Sequence, residues 1–265
     1  MENYRIFNKI KKICHNYYNL SVSKDIATIR YLDLIYLINS HPVQFKKKYS
    51  FIRENKNLFV FFLILLLKIL KYFSHIIFGL FKKKYYESES DVKNIDIIFF
   101  SHLVNSKHLN IKKDFYFGLM PNLFNHKSMM VLNNETELSN QILLNNYKRK
   151  KKMVFISNNI SIKKEFCLFL KIFSDLVKII VNKPKLNDKE SKVFYKHVIL
   201  NLFDQTTLKN LRLSFQIHDL IKKYKPKKIV YTFEGHCYEN TILNCAKSID
   251  NNITCIAYNH SIIFP

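Results

Sequence analysis

The chain has 265 residues, of which 48% are hydrophobic, and a formal net charge of +23 at pH 7. This length accommodates one large domain or two small ones with a sizeable core. Its three glycines are too few for a P-loop or a GxGxxG fingerprint, and its five cysteines contain no CxxC pair, which disfavours a disulfide framework or a zinc site and fits a reducing compartment.

The strong positive charge indicates an anionic partner. Lysine supplies nearly all of it, because only five of the 43 basic residues are arginine. The codon bias of an AT-rich genome is an alternative source of the same excess. Arginine leads base readout in nucleic-acid proteins, and the chain shows no helix-turn-helix, KH or RRM signature. We therefore expect no nucleic-acid partner.

Residues 1–57 are basic with helical patches and carry no recognisable chemistry, and their first 20 residues do not resemble a secretory signal. The next segment, 58–84, is the most apolar of the chain and is predicted to be a helix. Its length suits a membrane span, but Lys68 and Lys71 lie within it, and a mid-bilayer lysine costs about 3 kcal/mol. A helix lying in the membrane surface would keep both lysines at the headgroups.

Three interpretations of 58–84 therefore stand: a membrane-surface helix, a buried core helix and a true span. Lys82, Lys83 and Lys84 follow directly and would attract anionic lipid. We expect a cytoplasmic protein that associates with the inner face of the cell membrane. The composition changes sharply over 85–94, which we interpret as a linker before a domain at 95–265.

Strands and helices alternate through 95–265, which predicts an α/β domain with a Rossmann-like parallel sheet and flanking helices. The predicted strands are Asp96–Ser101, Lys127–Leu132, Met153–Ser157, Ile229–Phe233 and Ile253–Tyr258. The predicted helices are Asp114–Asn125, Ile162–Val181, Ser191–Phe203, Thr206–Tyr224 and one that begins at His236.

The last part of the chain, Pro226–Pro265, is predicted to be a right-handed strand–helix–strand unit. Ligands of open parallel sheets bind beyond the carboxyl ends of the strands. Four polar residues fall near that edge: Glu234, Glu239, Asn259 and His260.

Glu234 directly follows a strand and precedes Gly235, which permits a sharp turn. Its carboxylate is placed to act as general base on an acceptor hydroxyl. The structural alternative is a carboxylate favoured by the positive end of a helix dipole. His236 and Glu239 are three residues apart but lack a third ligand, so neither a metal nor a cofactor is expected.

Three further candidates, Ser101, His102 and Asn105, lie at or just beyond the end of the first predicted strand. Loops at this edge commonly carry binding residues. We expect these side chains to contact an acceptor substrate.

The motif F-E-G-H-x-Y-E, followed one crossover later by Y-N-H-S, resembles a bacterial family of surface carbohydrate biosynthesis proteins. Members are similar to glycosyltransferases with two Rossmann domains, and the resemblance runs from about Asp96 to the end of the chain. This sequence departs from the family at Ala257, where a glycine is usual, and at Tyr238, where a tryptophan is common.

The resemblance implies that His260 contacts a donor phosphate or shuttles a proton. It also implies that Gly235, His236, Glu239 and Asn259 belong to the substrate site. In such enzymes the sugar nucleotide sits mainly on the C-terminal domain and the saccharide or lipid-linked acceptor mainly on the N-terminal one. We therefore expect the chain to be the N-terminal half of a truncated or split enzyme, completed by a separate domain.

The resulting expectation is a glycosyltransferase-like protein of capsule or lipopolysaccharide synthesis, held at the cytoplasmic membrane face. The alternative is a non-catalytic membrane-associated scaffold that binds a partner through an exposed sheet edge. Binding of a sugar nucleotide or saccharide discriminates between them.

Overall fold

The computed structural model describes residues 58–79, 85–88, 95–110, 114–124, 127–136, 138–146, 152–157, 159–181, 189–233 and 237–259. The predicted N-terminal region 1–57 and the lysines at 82–84 lie outside these residues. The described residues form two compact units. The helical unit contains those within 58–79, 161–212 and 237–238, and the sheet unit contains those within 85–160, 213–233 and 239–259.

The sheet unit holds six strands, and its α/β class is as predicted from the sequence. The strands are β1 (Tyr85–Glu87), β2 (Ile97–Leu103), β3 (Ser128–Asn134), β4 (Lys152–Ile156), β5 (Lys228–Thr232) and β6 (Thr254–Tyr258). Their order is β1-β4-β3-β2-β5-β6. All neighbours are parallel except β1 and β4, so the sheet is mixed rather than purely parallel.

The antiparallel strand β1 lies in the segment that the sequence predicts to be a linker. Its three residues pair with β4, from Tyr85 opposite Ile156 to Glu87 opposite Val154. Ser88 extends this pairing, because it exchanges hydrogen bonds with Met153 through its backbone nitrogen and its hydroxyl oxygen. A short edge strand of this kind carries too few residues to show a period-2 pattern in the sequence.

The strand order reverses at the middle of the sheet. From β2 the chain builds outward through β3 to β4, and then returns to place β5 on the other side of β2. The β5–β6 pair is parallel, with Thr232 opposite Tyr258, as the predicted crossover unit requires. The carboxyl ends of β2 and β5 therefore flank the point where the direction of building changes.

Seven α-helices are present in the described part of the chain. They are α1 (Leu58–Gly79), α2 (Met120–Leu123), α3 (Asn140–Asn146), α4 (Ile162–Val181), α5 (Lys189–Leu202), α6 (Gln205–Tyr224) and α7 (Cys237–Ile249). The bounds of α4 are those predicted from the sequence, because its helical periodicity is uninterrupted from Ile162 to Val181.

The segment predicted as a helix over Asp114–Asn125 forms a tight turn before the short α2. The Asp114 carboxylate accepts hydrogen bonds from the backbone N–H groups of Tyr116 and Phe117, at 2.9 and 2.8 Å. Gly118 adopts a φ of +60°, a left-handed conformation that glycine takes without strain. The side-chain hydrogen bonds of Asp114 thus compete successfully with helix formation.

The core of the sheet unit is apolar and rich in aromatic residues. Alternate residues of β2, including Ile97 and Phe99, pack with Met130 of β3 and Phe155 of β4. The rings of Phe99 and Phe117 meet edge to face, with centroids 5.3 Å apart. This packing anchors the turn at Asp114 to the strands that carry the candidate site.

The helical unit contains α1, α4, α5 and the first part of α6. Helix α5 contacts both α1 and α4, and buried side chains such as Leu168, Ile172 and Leu202 form the interior. Helix α1 is about 33 Å long at 1.5 Å per residue. It is long and apolar enough to cross a membrane, yet only 11% of its apolar window is buried. Most of the apolar window of α1 is therefore exposed, unlike that of a buried core helix.

Candidate functional site

The candidate site is the carboxyl edge of β2, β5 and β6 in the sheet unit. Phe100 of β2 is paired with Tyr231 of the neighbouring strand β5. Ser101 and Thr232 are the next residues on these two strands. Side chains at the same level of parallel neighbours share one face of the sheet. Both hydroxyl residues are fully buried. They form a buried polar layer beneath this edge and are not part of its exposed surface.

Ser101 and His102 are both held by the protein itself. The Ser101 hydroxyl lies 3.5 Å from the backbone oxygen of His102. His102 is also buried, and its Nε2 is hydrogen-bonded to the hydroxyl of Tyr116. The two rings pack at 4.5 Å between centroids. The turn at Asp114, which holds the Tyr116 backbone, thus fixes the orientation of the imidazole.

The surface of the carboxyl edge consists of exposed residues that follow the strands. Val104 and Asn105 come after β2, Phe233 after β5 and Asn259 after β6. Asn105 accepts a hydrogen bond from the backbone N–H of Lys107, at 3.0 Å, within its own loop. The backbone N–H of Phe233 donates to the oxygen of Tyr258, at 2.9 Å, and so extends the β5–β6 pairing past Thr232.

Phe233 was not singled out by the sequence reasoning. Its side chain is 41% exposed although it directly follows four buried residues of β5. The exposure of Phe233 cannot be recognised from the sequence, because an aromatic residue at the end of an apolar run is indistinguishable from a fifth core residue. An exposed ring at this edge provides a stacking surface for a planar ligand group.

Glu239 lies in the first turn of α7 and is buried, with 2% of its surface exposed. It is close to Tyr231 of β5. Burial, assisted by Cys255 and by the charge of Glu239, raises the pKa of the Tyr231 phenol. The carboxylate of Glu239 therefore faces the interior beneath the carboxyl edge.

Asparagines at the end of β3 brace the neighbouring loops, and the sequence reasoning missed them as well. The Asn134 amide donates to the side-chain oxygen of Asn140, at 2.7 Å, and Asn140 donates to the backbone oxygen of Ile156, at 3.1 Å. These bonds join the ends of β3 and β4 through the start of α3. The Asn133-Asn134 pair directly after an apolar run was the available signal.

Four predicted site residues, Glu234, Gly235, His236 and His260, lie outside the described residues. In the sequence, Glu234 and His260 come two positions after Thr232 and Tyr258, which are opposite each other in the sheet. The structure thus brings together the strand ends that precede them. Their roles remain predictions from the sequence.

Within the described part of the chain, no group of three or more histidine, cysteine, aspartate or glutamate side chains is placed to hold a metal ion. Three cysteines in the same part, Cys167, Cys245 and Cys255, are not joined in disulfide bonds. The thiol of Cys255 has a raised pKa, because burial outweighs the nearby charge of Lys247.

Comparison of the chain with protein-family models, with curated proteins and with solved structures finds no match.

Proposed function

We propose that the chain is a Rossmann-like, glycosyltransferase-like protein that binds a sugar nucleotide at the carboxyl edge of its sheet and works at the cytoplasmic face of a membrane in surface polysaccharide synthesis. The observation that carries the proposal is the reversal of strand order between β2 and β5. Open parallel sheets bind ligands in the crevice at such a point, outside the carboxyl ends of the strands. The motif resemblance at Phe233–Glu239 supports the substrate class.

The residues at this edge suit the separate parts of a sugar nucleotide. The exposed ring of Phe233 offers a stacking surface for the base, and the amides of Asn105 and Asn259 offer donors and acceptors for sugar hydroxyls. Beneath them, the buried Ser101, His102 and Thr232 keep the strand ends rigid. A rigid base is what a specific binding site requires.

The proposed chemistry is sugar transfer to an acceptor hydroxyl. The hydroxyl loses its proton to a general base and its oxygen bonds to the anomeric carbon of the donor. The bond from that carbon to the phosphate oxygen breaks, and the nucleotide leaves. Glu234 is the proposed general base, since it lies two residues after the end of β5 in the sequence. His260, after β6, is the proposed contact to the donor phosphate. The proposed acceptor is a saccharide or a lipid-linked saccharide, and the exposed apolar helix α1 supports attachment of the chain to a membrane.

The test is a calorimetric titration of the full-length protein with uridine, guanosine and cytidine sugar nucleotides. We expect saturable binding of one class. Phe233→Ala and Asn259→Ala should each weaken it about fivefold, equivalent to about 1 kcal/mol. Asn252→Ala is the matched control, because Asn252 precedes β6 and so lies at the opposite edge of the sheet. Absence of binding by the folded wild-type protein would reject the proposal.

A second candidate function is a membrane-associated scaffold without catalysis, and the exposure of β6 favours it. Among the described strands, β6 has only β5 as a neighbour, and Ile256 is exposed on it. An unpaired edge of this kind can accept a strand from a partner. This function predicts no sugar-nucleotide binding and a partner complex that is lost in Ile256→Lys, because a charged edge residue opposes strand addition.

A further inference from the structure

The exposed face of α1 is one continuous apolar stripe. Its residues recur every three or four positions, which places them on one side of the helix. They include Phe59, Leu63, Leu66, Leu70, Phe73 and Ile77, all exposed. No described element covers this side, and it is larger than the isolated apolar residues of an ordinary protein surface.

Two polar side chains of α1, those of Lys68 and Tyr72, face the protein instead. Lys68 forms an ion pair with Asp204, with 3.0 Å between Nζ and Oδ2. The Tyr72 hydroxyl lies 3.0 Å from the backbone oxygen of Glu165 in α4. By helical geometry Lys68 is nearly opposite Leu66 and Leu70. The sequence prediction that Lys68 reaches lipid headgroups is therefore not what the structure shows.

A second apolar stripe runs along α4. Its exposed residues are Ile162, Phe166, Leu170, Phe173, Val177 and Ile180, at the same spacing of three or four. The opposite face of α4 is buried through Leu168, Ile172 and Ile179. Helix α4 thus has two apolar faces: one packs against the protein and the other is exposed.

The two stripes meet through aromatic rings. The Phe73 and Phe169 centroids are 5.4 Å apart, and those of Phe169 and Phe173 are 6.2 Å apart. Phe73 and Phe173 are both exposed. The exposed faces of α1 and α4 therefore join into one surface, which we call the two-helix apolar surface.

Lysines lie along both outer margins of the two-helix apolar surface. Lys71 is on the side of α1 turned away from Phe73, and Lys163 and Lys171 are on the side of α4 turned away from Phe169. Long lysine side chains at such margins place their stems on apolar surface and their charges in a headgroup layer.

We propose that the two-helix apolar surface lies flat on an anionic phospholipid bilayer, so that α1 and α4 enter the interface together and neither crosses it. The positive charge of the protein favours an anionic membrane over a second copy of the chain as the partner of this surface. A net charge of +23 with lysine on both margins attracts an anionic membrane surface. A second copy of the chain, paired about a two-fold axis through this surface, would bring lysine-lined margins together and be repelled.

This inference extends the membrane attachment in the proposed function from one helix to two, and it rests on that attachment but not on sugar-nucleotide binding. The Lys68–Asp204 ion pair and the Tyr72–Glu165 contact supply the reason for a flat orientation. A helix whose polar groups are bound to α4 and to Asp204, the residue before α6, keeps one side on the protein. Lipid can therefore cover only the other side.

The experiment is flotation of the full-length protein with phosphatidylcholine vesicles, without or with about 30% phosphatidylglycerol as the anionic lipid. Two double variants remove one stripe each: Leu66→Ser with Leu70→Ser in α1, and Phe166→Ser with Phe173→Ser in α4. The matched control, Leu119→Ser with Leu123→Ser, removes two exposed leucines from the sheet unit.

We expect wild type and control to float with anionic vesicles. The membrane partition coefficient of each stripe variant should fall at least about tenfold, because each variant lacks two apolar side chains that the bilayer would bury. Lys163→Gln with Lys171→Gln should reduce the preference for anionic vesicles. Circular dichroism confirms folding, which exposed substitutions leave intact.

Unchanged flotation of the α4 variant, with loss only in the α1 variant, would overturn the two-helix surface in favour of a single inserted helix. The surface would instead be a contact with a second copy of the chain if the wild-type protein binds neither kind of vesicle and sediments as a dimer, while both stripe variants sediment as monomers. Sugar-nucleotide titration of the stripe variants separates this outcome from failure of the proposed function, because it probes the sheet unit alone.

Discussion

The guanidinium of Arg212 in α6 pairs with the carboxylate of Glu165 in α4, through Nε to Oε1 at 2.6 Å and Nη2 to Oε2 at 3.2 Å. Both side chains are about 95% buried, with 4% and 5% of their surfaces exposed. Arg212 also lies over the ring of Tyr72, 5.5 Å from its centroid. This buried cluster joins α1, α4 and α6 within the helical unit.

Arg212→Met should strongly destabilise the helical unit, because it leaves the Glu165 carboxylate buried without its cation. The expected loss in free energy of unfolding is about 3–5 kcal/mol, measured by urea denaturation. Glu165→Met combined with Arg212→Met should cost less than Arg212→Met alone, since no charge is then left unpaired.

The surface ion pair between Lys223 and Glu87 is the control for that prediction. Lys223→Met should cost less than about 1 kcal/mol, because its side chain is 44% exposed and solvent screens the pair. A loss as large as that of Arg212→Met would show that burial is not what distinguishes the two pairs.

Alkaline pH should destabilise the protein, and Tyr72 should contribute to the loss. Burial raises the pKa of the Tyr72 phenol, with the Glu165 carboxylate adding to the shift and Arg212 opposing it. The folded state thus keeps this proton to a higher pH than the unfolded state does. The contribution is fully present below about pH 10, the pKa of a free tyrosine, and is lost as the pH rises through the folded pKa.

Tyr72→Phe tests this by urea denaturation across the pH range. At neutral pH it should cost about 1 kcal/mol for the lost hydrogen bond to Glu165. Above pH 10 its stability should fall less steeply than that of wild type, by up to about 1.4 kcal/mol per pH unit. Parallel profiles of variant and wild type would contradict the assigned role.

Glu234→Gln should abolish most sugar transfer if Glu234 is the general base. A general base contributes about 100- to 10,000-fold to turnover. The measurement is transfer of labelled sugar by membranes of the protein's own cells, so that any separate domain required for transfer is present. The variant replaces the wild-type chain in these cells, and sugar-nucleotide binding is the control for an intact site. Equal rates would show that Glu234 is a helix-start carboxylate.

Duplex DNA should bind weakly despite the net charge of +23. If the lysines serve lipid attraction or reflect codon bias, any binding is to phosphates alone and falls steeply with salt. Fluorescence anisotropy over a series of salt concentrations measures the slope. Tight, sequence-selective binding at physiological salt would contradict this and place the protein among nucleic-acid binders.

The local elements follow closely from the sequence. The bounds of α4 and the start of α1 agree with the predictions, and β3 to β6 lie within two residues of them. Long periodic runs record which residues face the interior, so they can be recognised without a partner. The parallel β5–β6 pair was predictable for the same reason, because a strand, a helix and a second strand permit few arrangements.

The candidate site was only partly predictable. Ser101, His102 and Asn259 are placed at the carboxyl edge by local pattern alone. The exposure of Phe233 and the hydrogen bond between Tyr116 and His102 depend on packing between different segments of the chain. Such contacts leave no periodic trace in the sequence.

What the sequence determined by itself was the identity and extent of the long helices and of the strands β2 to β6, because hydrophobic periodicity and turn residues act over neighbouring positions. Tertiary structure alone decided the strand order, the antiparallel β1 and the turn at Asp114. It also decided that Lys68 pairs with Asp204 while Leu66 and Leu70 stay exposed. These outcomes depend on which partner a side chain meets across the fold, and an ion pair 136 residues apart in the chain has no local signature.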